Sequence, residues 1–178
     1  MARPVELIPL VCLKCTTRLP ARPGEYAWVC SNCQQAMVLD EKVGLEKLWL
    51  QYQAGILSNQ IGRPFWVAEG RVQVDRQTYS GSKESESQSF WSKPRPFFVP
   101  AYTLPLENLL EIGARLLLKP PALQSSPPAR FEPVTLPRRD VRAVAEFIVM
   151  AVEADRQDKL KEVHLIVELA EPVLWVLP

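Results

Sequence analysis

The sequence of 178 residues is poor in the features on which most catalytic and charged binding sites depend. It contains one histidine and seven glycines, and 21 Lys and Arg residues against 20 Asp and Glu residues leave a formal net charge of +1. A near-neutral chain gives no electrostatic reason to expect nucleic acid or another polyanion as a partner. No apolar run approaches the roughly 20 residues that span a bilayer, so we expect no membrane span.

The amino-terminal residues also predict no secretory signal. The first residues, MARPVELIPLVC, contain no long apolar core of the kind that such signals carry. We therefore expect a cytoplasmic location. The reducing cytoplasm disfavours disulfides, so cysteines there are better explained by a metal than by cross-links.

Catalytic motifs are missing as well. The sequence has neither a glycine-rich phosphate loop nor a Gly-x-Ser-x-Gly motif. The only histidine, His164, is out of phase with the apolar residues around it, which indicates an exposed strand residue rather than a general base. Glu153, Asp155 and Asp158 alternate with basic residues, as expected at the solvated end of a helix. The sequence therefore predicts a protein that is not an enzyme.

The most specific feature present is a pair of Cys-x-x-Cys motifs in the stretch VCLKCTTRLPARPGEYAWVCSNCQ, residues 11–34. The first motif is Cys12 and Cys15, the second is Cys30 and Cys33, and fourteen residues separate them. The two thiolates of such a turn can bind one cation, and two turns together complete a tetrahedral site of four sulfurs. Structural zinc prefers this geometry, although iron can also bind to four sulfurs in this arrangement.

Residues 8–40 resemble the zinc ribbon, or rubredoxin-like, class of small metal modules, and the remainder of the chain is not recognised. The resemblance implies one structural Zn²⁺ held by the four cysteines, and the lack of the larger aromatic frame of iron rubredoxins favours zinc over iron. The sequence departs from the class at Thr16 and Gln34, where the residue after each second cysteine is often glycine. Four thiolate ligands leave no coordination position for water or substrate, so the metal is expected to be structural.

Residues 45–178 are expected to form an α+β domain, separate from an N-terminal zinc ribbon at residues 1–40. Alternating apolar and polar residues predict a mostly antiparallel sheet, with a turn or bulge at Glu69-Gly70 and strands near residues 48–53, 63–68, 71–78, 131–136, 163–169 and 173–177. The i, i+3, i+4 spacing of apolar residues predicts two amphipathic helices, at residues 106–117 and 141–152, packed on one face of that sheet. The core of this domain is expected not to depend on the zinc module.

Two connecting segments stand out by composition. Residues 80–92 are polar and serine-rich, which predicts a mobile loop. Residues 120–133 are proline-rich, which predicts a stiff surface connection.

The second face of the predicted sheet needs a cover that the small zinc module cannot supply. We therefore expect a contact with another protein chain, either a second copy or a different subunit, centred on aromatic residues. The candidates are Trp49, Phe65, Trp66, Phe98 and Trp175, although large aromatic side chains more often pack into their own core.

These observations predict a non-enzymatic zinc-ribbon protein that acts as a protein-protein interaction or assembly module. The alternative is a nucleic-acid-binding or transcription-associated zinc ribbon protein, with Lys14, Arg18 and Arg22 contacting phosphates. The near-neutral charge disfavours that alternative because phosphate binding depends on accumulated Lys and Arg side chains.

Overall fold

The N-terminal part of the chain forms a small sheet. The structure is a computed structural model that describes residues 7–81, 83–156 and 158–178. Its first three strands, β1 (Ala27–Val29), β2 (Ala36–Asp40) and β3 (Gly44–Lys47), form an antiparallel sheet in that order.

The turn between β2 and β3 lies between the two predicted units, residues 1–40 and 45–178. The Asp40 carboxylate accepts the backbone N–H groups of Lys42 and Val43 at 2.8 and 3.1 Å. Gly44 follows with a φ of 100°, which glycine adopts without strain. Because β3 continues the same sheet, the first unit extends beyond residue 40, and residues 7–47 are called the N-terminal module below.

The rest of the chain is built on a second sheet of five strands. These strands are β4 (Leu50–Tyr52), β5 (Arg63–Ser80), β6 (Arg95–Pro100), β7 (Lys159–Leu169) and β8 (Val173–Leu177). Their order is β4-β8-β5-β6, and β7 pairs with the far end of β5. β4 and β8 are parallel, whereas the other pairs are antiparallel. With three α-helices in the described residues, the chain has the mixed α and β content that the sequence predicts.

β5 is one continuous strand of 18 residues, which corrects the prediction of two strands separated at Glu69-Gly70. Gly70 pairs with Arg95 of β6 and with Leu169 of β7. A Cβ atom at this position would lie 2.6 Å from the Leu169 side chain and 2.7 Å from the Phe97 ring. The glycine therefore makes room for the two side chains that cross the strand, and it marks no turn.

α1 (Glu84–Trp91) occupies most of residues 80–92, so the predicted loop is corrected to a helix. The acidic Glu84 and Glu86 in its first turn interact favourably with the helix dipole. Gln88 donates to the Glu84 carboxylate at 3.1 Å, one turn away. Trp91 at the last position is buried, and its indole N–H donates to Glu153 at 2.7 Å. Trp91 and the partly buried Phe90, which also packs against the main core, therefore anchor a helix that is otherwise polar.

α2 (Leu106–Leu118) and α3 (Val141–Ala154) lie where the apolar spacing predicts helices. α3 places Ile148 and Val149, both fully buried, in the main core. α2 contacts both β6 and α3, and Leu117 near its end is also fully buried in that core.

A second hydrophobic cluster lies on the opposite face of the sheet. Phe65 and Trp66 are neighbours on β5, so their side chains point to opposite faces. Trp66 belongs to the main core, whereas Phe65 belongs to the second cluster. Ile112 and Leu116 of α2 pack against that second cluster. Part of the face that was expected to need a partner is therefore covered by the chain itself.

The N-terminal module and the larger sheet share the main core. Ala27, Ala36 and Val38 of the module are buried together with Trp66 and Val134. This arrangement corrects the expectation that residues 45–178 have a core independent of the module.

The proline-rich connection joins the two sheets through backbone hydrogen bonds. Val134, just after it, accepts the N–H of Tyr26 at 2.8 Å, and Ser126 donates its N–H to the Tyr52 carbonyl at 2.8 Å. The strand predicted near residues 131–136 is present only as isolated bridges, one of which joins Val134 to Ala27.

Candidate metal centre

The two Cys-x-x-Cys motifs form two turns with the same backbone hydrogen bonds. Cys12 donates its N–H to the Thr17 carbonyl at 2.8 Å and accepts the N–H of Thr16 at 2.9 Å. In the second turn, Cys30 donates to the Gln35 carbonyl at 2.9 Å and accepts from Gln34 at 3.0 Å. The equivalent geometry means that each turn presents its two sulfurs in the same way.

Thr16 and Gln34 occupy the left-handed backbone region in these turns. Their φ angles are 58° and 59°, and they are the non-glycine residues with positive φ in the described part of the chain. The sequence departs from glycine at these two positions, but the turns keep the conformation that glycine would favour. Each turn therefore carries local backbone strain, which is greater for the β-branched Thr16.

The four sulfurs converge on one point. Cys12 and Cys33 have their Sγ atoms 3.5 Å apart, as do Cys15 and Cys30, and all four Sγ atoms lie within 4.8 Å of one another. A tetrahedral zinc with bonds of about 2.3 Å would place its sulfurs about 3.8 Å apart. The four cysteines are thus positioned to bind one metal ion, and their spacing is compatible with zinc.

The thiols differ in acidity because their surroundings differ. The hydroxyl of Thr17, 3.3 Å from the Cys15 sulfur, stabilises the thiolate and lowers the pKa of Cys15 to about 5. A backbone hydrogen bond from Gln35 favours the Cys33 thiolate, but burial and hydrogen bonds shared with the other sulfurs raise the pKa of Cys33 to about 12. Four adjacent thiolates repel one another, and a divalent cation at their centre would remove that repulsion.

The inner side of the cluster is closed by apolar side chains. Cys12 and Cys30 are buried, whereas Cys15 and Cys33 are half-buried. Trp28 and Met37 pack against the buried pair, and the backbone N–H of Leu13 contacts the Met37 sulfur at 3.4 Å. The cluster therefore lies at the surface of a small core of its own.

The five aromatic residues predicted to bind a partner differ in their exposure to solvent. Phe65, Trp66 and Phe98 are each 4% exposed or less, which corrects the prediction that they form a docking surface, because the two faces of the sheet bury them. Trp175 is half-buried and packs against the second cluster. Trp49 is 71% exposed, and the structure places it between the N-terminal module and β4.

A buried group of charged side chains was missed by the sequence analysis. Arg76 donates two hydrogen bonds to Asp158 at 2.8 and 2.9 Å, and its Nε lies 3.3 Å from Glu153. The side chains of all three are at most 1% exposed, which corrects the expectation of a solvated helix end at Glu153 and Asp158. One signal was available, since Arg76 is in phase with the inward-facing Val72 and Val74 of β5.

These charges form a buried ion-pair group, in which Arg76 Nε and Glu153 Oε2 are paired by charge and not by a hydrogen bond. Glu153 also accepts from Trp91 at 2.7 Å and from Arg156 at 2.8 Å. The buried group therefore joins β5 to the end of α3 and to α1, and its geometry suits a structural role. His164 lies apart from it, exposed and 3.2 Å from Glu162.

Within the ranges that the structure covers, no helix is both long enough and apolar enough to cross a bilayer. No protein-family model, no curated protein and no solved structure matches this chain.

Proposed function

We propose that the chain is a non-enzymatic zinc-ribbon protein that acts as a protein-protein interaction or assembly module. One observation carries the proposal, namely a closed set of four cysteine sulfurs beside an exposed tryptophan, Trp49. In this proposal residues 8–40 hold one structural Zn²⁺ through Cys12, Cys15, Cys30 and Cys33. A four-thiolate site persists best under reducing conditions, so we place the protein in the cytoplasm.

The ligand set supports a structural metal rather than a catalytic one. Four cysteines fill a tetrahedral shell, so no position is left for a water molecule or a substrate. The free energy of zinc binding then contributes to folding of the small core around Trp28 and Met37.

The surface around Trp49 supports the interaction role. Trp49 is 71% exposed, whereas its neighbour Leu48 is 8% exposed. The backbone N–H of Leu48 is bonded to the Ala36 carbonyl at 2.9 Å, so Trp49 is presented to solvent from an anchored segment. Tryptophan is enriched among the residues that dominate protein-protein binding energy.

Two measurements test the proposal. Metal analysis of the purified protein is expected to find about one zinc per chain, and finding no metal, or iron with visible absorbance, would refute the metal assignment. Capture of partner chains should depend on Trp49, so Trp49→Ala should reduce it. Tyr79→Ala, which changes an aromatic side chain of similar exposure (73%), is the matched control and should leave capture unchanged.

A second candidate is nucleic-acid binding by the same module. Lys14, Arg18 and Arg22 are all exposed, which favours it, but they are few and the whole chain is near neutral. A complex with single-stranded or duplex nucleic acid that survives physiological salt would support this candidate over the first.

A further inference from the structure

The outer edge of β7 (Lys159–Leu169) carries no neighbouring strand. Within the described ranges β7 pairs with β5 alone, and its backbone groups make no further backbone hydrogen bond. The strand is 11 residues long and contains neither proline nor glycine. An unpaired edge of this length is a ready template for pairing with another strand.

The two end strands of the same sheet are protected. β6 carries Pro96 and Pro100, which have no backbone N–H to offer a further strand. β4 is covered by the chain itself, since Ser126 donates its N–H to the Tyr52 carbonyl at 2.8 Å. In the described part of the chain, β7 has neither form of protection.

The backbone groups at the outer edge of β7 belong to alternate residues. Ala170 donates its N–H to the Glu69 carbonyl at 2.8 Å, and these two residues continue the register between β5 and β7. The even-numbered residues from 164 to 168 therefore point their N–H and C=O groups to β5. The odd-numbered residues from 163 to 169 point theirs to the outer edge.

The exposed face of β7 is complementary to itself when the strand is read in the reverse direction. In an antiparallel pair with a two-fold axis at Ile166, His164 lies opposite Glu168 of the second copy. Asp75 and Arg71 of β5 already lie opposite His164 and Glu168. The row across both copies is therefore Asp75, His164, Glu168, Arg71, in which acidic and basic groups alternate. Ile166, which is 53% exposed, meets its own copy at the axis.

The side chains in this row are accessible. His164 and Glu168 are exposed. His164 contacts Glu162 through Nε2 at 3.2 Å, which leaves Nδ1 for a carboxylate of the second copy.

The inner face of β7 is apolar in the same register. Val167 lies opposite Leu165 of the second copy, and Val72 and Val74 of β5 lie opposite these two residues. Val72 and Val167 are buried in the main core, and Val74 and Leu165 pack against it. The main core would therefore continue across the two-fold axis.

Neighbouring registers fit less well. A two-fold axis at Leu165 would place Glu162 opposite Glu168, two like charges that repel. An axis at Val167 would place the apolar Ile166 opposite Glu168. The axis at Ile166 pairs opposite charges with each other and apolar residues with each other throughout this stretch.

We propose that two copies of the chain associate through β7, antiparallel and about Ile166, to form one continuous sheet. Residues 163–169 would pair over roughly 24 Å, and the odd-numbered residues would exchange both backbone hydrogen bonds with their opposite numbers. Trp49 precedes β4, which does not pair with β7. The inference therefore goes beyond the proposed function and does not rest on it.

Sedimentation velocity over a concentration series tests the association. The protein is expected to change reversibly from monomer to dimer between about 1 and 500 µM. Ile166→Lys brings two ammonium groups together at the axis and should weaken dimerisation at least about tenfold. Gln73→Lys adds the same charge at the exposed position opposite Ile166 within one copy and should leave dimerisation nearly unchanged. Far-UV circular dichroism reports whether both variants are folded.

Cysteine cross-linking of the zinc-loaded protein tests the register, with the wild type as a control for the native cysteines. Ile166→Cys should form a disulfide between copies under mild oxidation, because the two Cα atoms face each other at about 4.5 Å. Glu168→Cys alone should not, since the two copies of position 168 would lie roughly 14 Å apart. Mixing Glu168→Cys protein with His164→Cys protein should restore the cross-link.

A protein that stays monomeric throughout the series would overturn the inference, and so would equal losses in the two lysine variants. Cross-linking of Glu168→Cys with itself as efficiently as Ile166→Cys would show that the register is wrong. If the protein is monomeric but a synthetic peptide of residues 161–170 shifts the amide signals of β7, the edge binds a foreign strand and the second copy is the wrong occupant. Partner capture through Trp49 is measured with Ile166→Lys as well, so the two proposals can fail separately.

Discussion

Met37 and Val38 are neighbours on β2, both are fully buried, and they belong to two different cores. Met37 packs in the cluster around the cysteines, whereas Val38 packs in the main core with Trp66 and Val134. Side chains alternate along a strand, so one short sheet is buried on both faces. The strand β2 therefore connects the packing around the cysteine site directly to the core of the larger sheet.

The first prediction follows from this link. Cys30→Ser should reduce bound zinc to near zero, because a hydroxyl is a poor substitute for one of four thiolates. Trp28 and Met37 would lose the cluster on which they pack, and unfolding of their strands would uncover the main core. We expect the melting temperature of the whole chain to fall, as measured by near-UV circular dichroism. Treating the wild type with a strong chelator should have the same effect.

Ser31→Ala is the matched control for this change, since it alters the exposed residue next to Cys30. Its melting temperature and zinc content should match the wild type. If chelation leaves the unfolding transition of residues 45–178 unchanged, the stability of those residues does not depend on the core that they share with the N-terminal module.

The site was predictable because its signal is local. Two thiols separated by only two residues lie close together whatever the rest of the chain does, and the four sulfurs do converge on one point. The two amphipathic helices were predictable for the same reason, because α2 and α3 carry their apolar spacing within a single segment.

Features that depend on distant contacts were not predictable. The helical state of residues 84–91 depends on Trp91 reaching Glu153, 62 positions further along the chain. The glycine at position 70, inside the continuous strand β5, is explained by the Phe97 ring, which lies where a Cβ atom would point. Phe65 is buried in a cluster against which α2 packs, and the apolar spacing within α2 does not specify where that helix lies.

A second prediction concerns strain in the first cysteine turn. Thr16 has a φ of 58°, and a non-glycine residue there costs roughly 1–2 kcal/mol. Glycine removes that strain but loses about 0.5–1 kcal/mol through the entropy of the unfolded chain. Thr16→Gly should therefore leave the free energy of unfolding unchanged or raise it by about 1 kcal/mol, as measured by denaturant titration with zinc present.

Ser31→Gly provides the comparison, because Ser31 lies in the second turn without a positive φ. It gains nothing from glycine and should lose about 0.5–1 kcal/mol. If both variants lose equal stability, the left-handed conformation at Thr16 carries no strain.

A third prediction concerns acid stability and Asp158. Burial alone would raise the pKa of Asp158, but the hydrogen bonds from Arg76 and from the Lys83 N–H outweigh it and hold that pKa below its ordinary value. A carboxyl with a lowered pKa in the folded state adds stability above its unfolded pKa of about 4. That contribution is lost as the pH falls through the folded-state pKa.

We therefore expect the free energy of unfolding to drop as the pH decreases below about 4, and Asp158→Asn to make that drop shallower. The Asn variant should also be less stable at neutral pH, because Arg76 loses its bidentate partner. Asp155→Asn changes an exposed neighbour and should keep the wild-type pH profile. Identical profiles for Asp158→Asn and the wild type would mean that the ion pair does not form in solution.

The last prediction tests how closely α2 and α3 approach each other. Gly113 is buried in α2, and a Cβ atom there would lie 2.4 Å from Cδ1 and 2.8 Å from Cγ1 of Ile148. Alanine would gain about 1 kcal/mol of helix propensity, but overpacking against a filled core costs typically about 1–3 kcal/mol. Gly113→Ala should therefore lower the free energy of unfolding by up to about 2 kcal/mol.

A double-mutant cycle with Ile148→Val separates the steric clash between the alanine methyl group at position 113 and Ile148 from the gain in helix propensity that alanine brings. The valine side chain lacks Cδ1, the atom nearest to the added methyl group, and Ile148→Val alone should cost about 0.5–1.5 kcal/mol. In that background the alanine substitution should cost less than it does in the wild type, giving a favourable coupling of about 0.5–3 kcal/mol. Additive effects, or a Gly113→Ala protein more stable than the wild type, would mean that the helices are farther apart than this contact requires.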